Sequence, residues 1–161
     1  MDLLHIHLLL NHVPVVGMIG SAALLVAALV TRSRDLAIAS LIALVIVALI
    51  ALPVFFTGEP AEERVENVAG INKAAIEQHE HAAKLALIAI EIGGALALLS
   101  LIAFALRRRV PVVGAAATLL VCLAGAVLVA RAANLGGEIR HTELGTAAAA
   151  VPGGQAEEDH D

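Results

Sequence analysis

Apolar residues fall along this chain in four long runs: Val13 to Thr31, Leu36 to Thr57, Ala82 to Leu106 and Val110 to Ala130. Each is close to or above the roughly 20 residues a helix needs to cross a hydrocarbon core of about 30 Å. None alternates with the period of a strand, and backbone groups in lipid must be satisfied within the segment, so the pattern predicts four spanning helices. The expected fold class is all-α, an integral membrane four-helix up-down bundle. Residues 1–145 form the transmembrane domain in this reading. Residues 146–161, Ala, Pro and Gly followed by QAEEDHD, form a disordered tail that carries His160 as a passenger.

The polar residues between the runs set the orientation. Arg32 and Arg34 stand in the first connection and Arg107, Arg108 and Arg109 in the third. The longer middle connection has Arg64 and Lys73 against Glu59, Glu62, Glu63, Glu66, Glu77 and Glu80. Basic connections stay in the cytoplasm, which puts both termini and the acidic connection outside. Asp2 can cap a first turn at Leu3 to Leu10; Pro14 would kink a helix that continued through it unless Asn11 caps a fresh start, and either way a break is expected beside His12. Gly58, Pro60 and Gly70 read as turns around a short helix at Ala61 to Val68, with Asn72 capping the third spanning helix. Pro111 suits the first turn of the fourth. VPVVG occurs at Val13 and again at Val110; the copies start helices of opposite direction, and the repeat reads as coincidence.

Composition narrows the function classes. At 161 residues and 60% hydrophobic, with a mean hydropathy of +0.90, the chain is too apolar for a soluble domain. The N-terminus lacks a basic region and a cleavage site, so the first helix is expected to stay. Cys122 is the single cysteine, which excludes an intramolecular disulfide and leaves a small hydrophobe. The net charge of −5, without a basic patch interleaved with aromatics, excludes nucleic acid as a partner. Trp and Tyr are absent, so histidine can take part of the interfacial role those residues usually fill.

Six of the seven histidines lie at the outer ends of the predicted helices: His5, His7 and His12 on the first, His79 and His81 on the third, His141 just past the fourth. Short connections make sequential helices neighbours, so these ends converge on one face of the bundle. Neutral imidazole ligates haem iron, zinc and copper, which makes the cluster a candidate cofactor site. The combination expected first is His12 with His79 or His81, joined by His7 or His141. The bland alternative is an interfacial belt of polar residues, and for His141, beside Arg140, complementing the negative end of a helix dipole past Gly136 and Gly137.

No CxxCH motif is present, which excludes covalent c-type haem, whereas b-type haem between two histidines fits. Gly17, Gly93, Gly94 and Gly125 either leave room for a macrocycle or pack helices closely. Phe55, Phe56 and Phe104 are the only aromatic walls. Zinc or copper held by histidine with Glu59, Glu80 or Glu138 is the alternative, without the spacing of any named motif. A second anomaly is Glu91, about 18 Å along the helix from His79 and inside an apolar run. An ionisable group there is costly and marks either a buried ion pair or a proton route. Lys84 and Arg131 are its candidate partners, Arg131 the preferred one.

The His7, His12 and Pro14 spacing (His-x4-His-x-Pro), a histidine at the start of the third helix (His79 or His81), and Gly136, Gly137 and Glu138 followed by His141 together resemble a family of small, uncharacterised four-helix membrane proteins of bacteria. The resemblance covers Leu3 to Gly145. It implies an architecture similar to cytochrome b modules and raises haem b by analogy. This chain differs from the commoner form in having Ile6 and Leu8 around His7, where a His-Pro pair often stands, and in its extra His5 and His81. The expectation is a multi-pass protein of the bacterial plasma (inner) membrane whose histidine cluster faces the periplasmic side. It would bind b-type haem or a redox metal and pass electrons within a larger respiratory or quinone-linked complex. Self-association is left open, as are an enzymatic role and two further classes: a non-catalytic accessory subunit, and a small carrier or channel using Glu91 and Arg131.

Overall fold

The computed structural model describes residues 3–66, 73–107 and 110–140. Among them are five helices: α1 (Leu3–Leu10), α2 (His12–Thr31), α3 (Arg34–Glu66), α4 (Lys73–Arg107) and α5 (Val112–Arg140). Four helical stretches, His7–Thr31, Arg34–Gly58, Lys73–Arg107 and Val112–Glu138, are long and apolar enough to cross a membrane. This is a multi-pass, all-helical membrane protein.

α1 and α2 act nearly as one rod. Asn11 between them has helical dihedrals and no side-chain capping bond, and its N–H donates to the His7 carbonyl at 2.9 Å. The break expected beside His12 is therefore a single turn residue, Asn11, between α1 and α2, and Asn11 does not cap a fresh start. Pro14 sits in the first turn of α2, where a missing N–H is tolerated. α3 also overrides its punctuation. It runs through Pro53 and Pro60 to Glu66, so the turn expected at Gly58 and Pro60 is helix, and the segment expected as a separate helix from Ala61 is α3 itself as far as it is described. At 33 and 35 residues, α3 and α4 span about 50 Å each, well beyond the hydrocarbon core.

The four long helices form a ring: α2 packs on α3, α3 on α4, α4 on α5, and α5 closes on α2. Without a hydrophobic driving force in lipid, small residues bring the helices together. A Cβ on Gly94 would stand 2.5 Å from that of Ala48, one on Gly125 would meet the Met18 methyl at 2.5 Å, and one on Gly17 would run into Val47. Leu41, Leu44, Met18, Ala97 and Cys122 fill the centre. Two of the buried polar groups are tied to backbone: Ser40 donates to the Ser21 carbonyl across α3 and α2 at 2.8 Å, and Thr118 donates to Gly114 within α5, whereas the Ser21 hydroxyl has no partner among the described residues. The Cys122 thiol donates to the Met18 carbonyl, consistent with its expected role as a small core residue.

Candidate functional site: two clasped imidazoles

The ends of the ring differ in character. At one end the Arg34 guanidinium lies 4.5 Å from the centre of the Phe104 ring, joining the start of α3 to the finish of α4. At the other end stand two histidine rings. His7, on α1, directs Nδ1 at the Val54 carbonyl of α3 at 2.9 Å. His79, on α4, directs Nδ1 at the Ala132 carbonyl of α5 at 2.9 Å. A carbonyl only accepts, so in each ring Nδ1 carries the proton and donates it, and the lone pair is left on Nε2. This is the arrangement in which a second hydrogen bond fixes the tautomer and orientation of an imidazole ligand.

Each ring rests on a glycine. A Cβ on Gly58 would come 3.3 Å from His7 Cε1, and one on Gly136 would come 3.0 Å from His79 Cε1. In both cases the glycine lies one helical turn beyond the residue whose carbonyl accepts the ring proton, Val54 before Gly58 and Ala132 before Gly136. The Thr57 hydroxyl donates to the Pro53 carbonyl at 2.7 Å, and its oxygen adds a longer contact, 3.4 Å, to His7 Nδ1. Sequence reasoning missed Gly58 and Gly136 because it read one as a turn and the other as a helix stop. The signal that could have found them was a glycine on each partner helix at the depth of a histidine.

The other histidines are placed differently. His12 is exposed and lines an open apolar hollow with Val13, Val16 and Gly17, so His7 is the described imidazole of the first rod that is held against a neighbouring helix. His81 is exposed on α4. The side chain of His5, the Glu59 side chain, His141 and the 146–161 tail lie outside the described residues. No group of three or more His, Cys, Asp or Glu side chains suited to a metal ion occurs among the described residues. Glu80 is paired with Lys84 at 2.6 Å, and Glu138 accepts from the Asn134 amide. The glycines considered as room for a macrocycle, Gly17, Gly94 and Gly125, are instead filled by neighbouring helices.

Glu91 stands partly exposed on α4, and its Oε1 is buried with no hydrogen-bond partner among the described residues. Arg131, its preferred partner from the sequence, is exposed on α5. Lys84, the other, turns back one helical turn to Glu80. Comparison with protein-family models, curated proteins and solved structures found no match.

Proposed function

We propose that this protein is an up-down four-helix bundle of a bacterial plasma membrane that holds a b-type haem between His7 and His79 at its outer rim. It would relay electrons as part of a quinone-linked or respiratory assembly. The observation that carries the reading is the pair of imidazoles, each with Nδ1 committed to a carbonyl of a neighbouring helix, so that the lone pair of each is on Nε2. Imidazole nitrogens of this kind are ligands that haem iron takes. When bound, that group would supply one-electron chemistry. His7 and His79 would hold it, with their tautomers fixed by Val54 and Ala132.

The filled interior favours the rim. Met18, Leu41, Leu44 and Cys122 leave no room between the helices lower down, and α3 and α4 are long enough to extend past the hydrocarbon on the histidine side. The basic connections Arg32 to Arg34 and Arg107 to Arg109 belong in the cytoplasm, which assigns both termini and the imidazole pair to the outer face. Zinc or copper is the second reading. It is weaker because two described imidazoles fall short of the three or four ligands such ions usually take.

The test is an optical spectrum of the protein in mild detergent, oxidised and after dithionite, with elemental analysis alongside. A Soret band with sharp reduced bands is expected, lost in His7→Ala and in His79→Ala and retained in His12→Ala and His81→Ala. Stoichiometric zinc or copper would replace haem with the second reading. A protein that stays colourless and metal-free after haem supplementation during expression would leave a non-catalytic accessory subunit.

A further inference from the structure

The two clasps belong to a larger correspondence. The buried positions of α2 are Pro14, Met18, Ser21, Ala22, Leu25 and Ala28. Adding 72 to each gives Ala86, Ile90, Gly93, Gly94, Ala97 and Ser100, all buried on α4. The same offset carries His7 to His79. On the partner helices, adding 78 to Ala37, Ser40, Leu44, Val47 and Ala51 gives Ala115, Thr118, Cys122, Gly125 and Val129, and all ten are buried. That second offset also carries Val54 to Ala132 and Gly58 to Gly136, the acceptor and the supporting glycine of each clasp. Contacts follow: Gly17 meets Val47 in the first pair of helices, and Ala89 meets Gly125 in the second, each residue the image of the other under the two offsets.

We infer that residues 7–58 and 79–136 are two copies of one histidine-bearing hairpin, related by a pseudo-two-fold axis along the bundle. A haem held between the two imidazoles, as proposed above, would meet the same clasp on each side, with Gly58 and Gly136 as matched positioning residues. The inference about the ligand rests on the haem reading; the repeat and the clasps do not. Parallel repeats about an axis normal to the membrane place their shared site where the copies meet. The repeat pairs His7 with His79 and leaves out His12 and His81, which are exposed. Their offset is 69 rather than 72, so neither is the image of the other.

Two measurements on the full chain test this. Nitroxide pairs at Val16 with Ile92 and at Gly20 with Ile88 use exposed positions related by the first offset. A two-fold axis makes the two distances equal, and mean distances that differ by more than the widths of their distributions would overturn the repeat. In the metal-free protein, nitrogen-15 spectra of the histidine rings should show Nδ1–H tautomers for His7 and His79, assigned with His7→Gln and His79→Gln. Gly58→Ala should disturb only His7 and Gly136→Ala only His79, while Gly137→Ala, which meets nothing within 4 Å, should disturb neither. Nε2–H tautomers at both rings, or a Gly136→Ala that leaves His79 unmoved, would overturn the clasp. Adding ferric haem to the same sample should shift both ring signals together and saturate at one per chain, with affinity about tenfold lower in either glycine variant. Intact clasps that ignore haem would overturn the haem reading and the ligand assignment together, leaving the repeat in place.

Discussion

The two hairpins bring their helices together by opposite means. In the first, the small residue is on the leading helix, where Gly17 receives Val47 of α3; in the second it is on the trailing helix, where Gly125 of α5 receives Ala89 and the Met18 methyl. The difference teaches that both copies keep one glycine at this crossing and let the group that fills it vary, Val47 in one and Ala89 with the Met18 methyl in the other, since close-packed interfaces sense total volume before identity. The largest effect should come from filling that glycine. Gly17→Ala drives a methyl into Val47, a stiff β-branched side chain, and should cost about 1–3 kcal/mol, read as a lower midpoint of thermal unfolding in detergent. Val47→Ala in the same chain should restore most of it. Gly125→Ala should cost less, because the atom it meets first is the end of a flexible methionine. Equal losses from the two variants, with no rescue by Val47→Ala, would remove the complementarity.

Glu91 is where the copies disagree most. Its image under the first offset is Ile19, an apolar side chain 52% exposed, so the same place on the bundle holds hydrocarbon in one half and a carboxyl in the other. Burying Oε1 without a partner costs on the order of 1–3 kcal/mol. Glu91→Ile, which makes the second half resemble the first, should therefore express normally and melt at the same or a higher temperature. If the carboxyl is kept for moving a proton during electron exchange, both Glu91→Ile and Glu91→Gln should slow reoxidation of the reduced protein. Variants that melt higher and reoxidise at the wild-type rate would reduce Glu91 to a structural accident.

A smaller contrast separates two of the buried hydroxyls, Ser40 and Thr118. Ser40 bonds across to α2 at the Ser21 carbonyl, whereas its image Thr118 bonds back into its own helix at Gly114. Bonds between membrane helices average about 0.6 kcal/mol, so Ser40→Ala should lower stability by roughly that amount. Thr118→Val, which removes only a bond local to one helix, should change it less. A larger loss at Thr118 would show that the second hairpin leans on its hydroxyl in a way the hydrogen bonds do not explain.

The spanning helices were legible in the sequence because lipid imposes one answer on a long apolar run, and Arg34 and Arg107 marked the connections correctly. The ends were not legible. Gly58, Pro60 and Gly136 are breakers by local propensity, yet α3 and α5 run through them, because packing against α1 and α4 outweighs a local cost of about 1 kcal/mol for glycine. The clasps were hidden by the same error, since a glycine read as a turn cannot be read as the seat of a ring. The histidine cluster was visible as composition, but choosing His7 over His12 required the phase of α1 relative to α3, which the uninterrupted apolar pattern around them does not encode. The repeat was hidden because its copies agree in which positions are buried more than in which residues fill them: Met18 and Ile90, Leu44 and Cys122, Val47 and Gly125. The VPVVG pair at Val13 and Val110 matches neither offset, in agreement with its reading as coincidence.

The smallest effect should come from the one polar contact that only the first clasp has. Thr57 lies beside His7 Nδ1 at 3.4 Å, while its image under the second offset is Leu135, half-buried and apolar. Because the Val54 carbonyl at 2.9 Å is the stronger acceptor for the ring proton, the hydroxyl supplements a bond that is already made. Its own proton is directed at Pro53 and Val54. Thr57→Leu makes the first clasp a copy of the second. It should leave His7 in the Nδ1–H tautomer and leave haem affinity within about twofold, since a longer, shared hydrogen bond contributes at the low end of the 0.5–1.5 kcal/mol range. A loss approaching that of Gly58→Ala would mean that the hydroxyl, and not the backbone carbonyl, fixes this ring. The two imidazoles would then be held by different chemistry despite their matching positions.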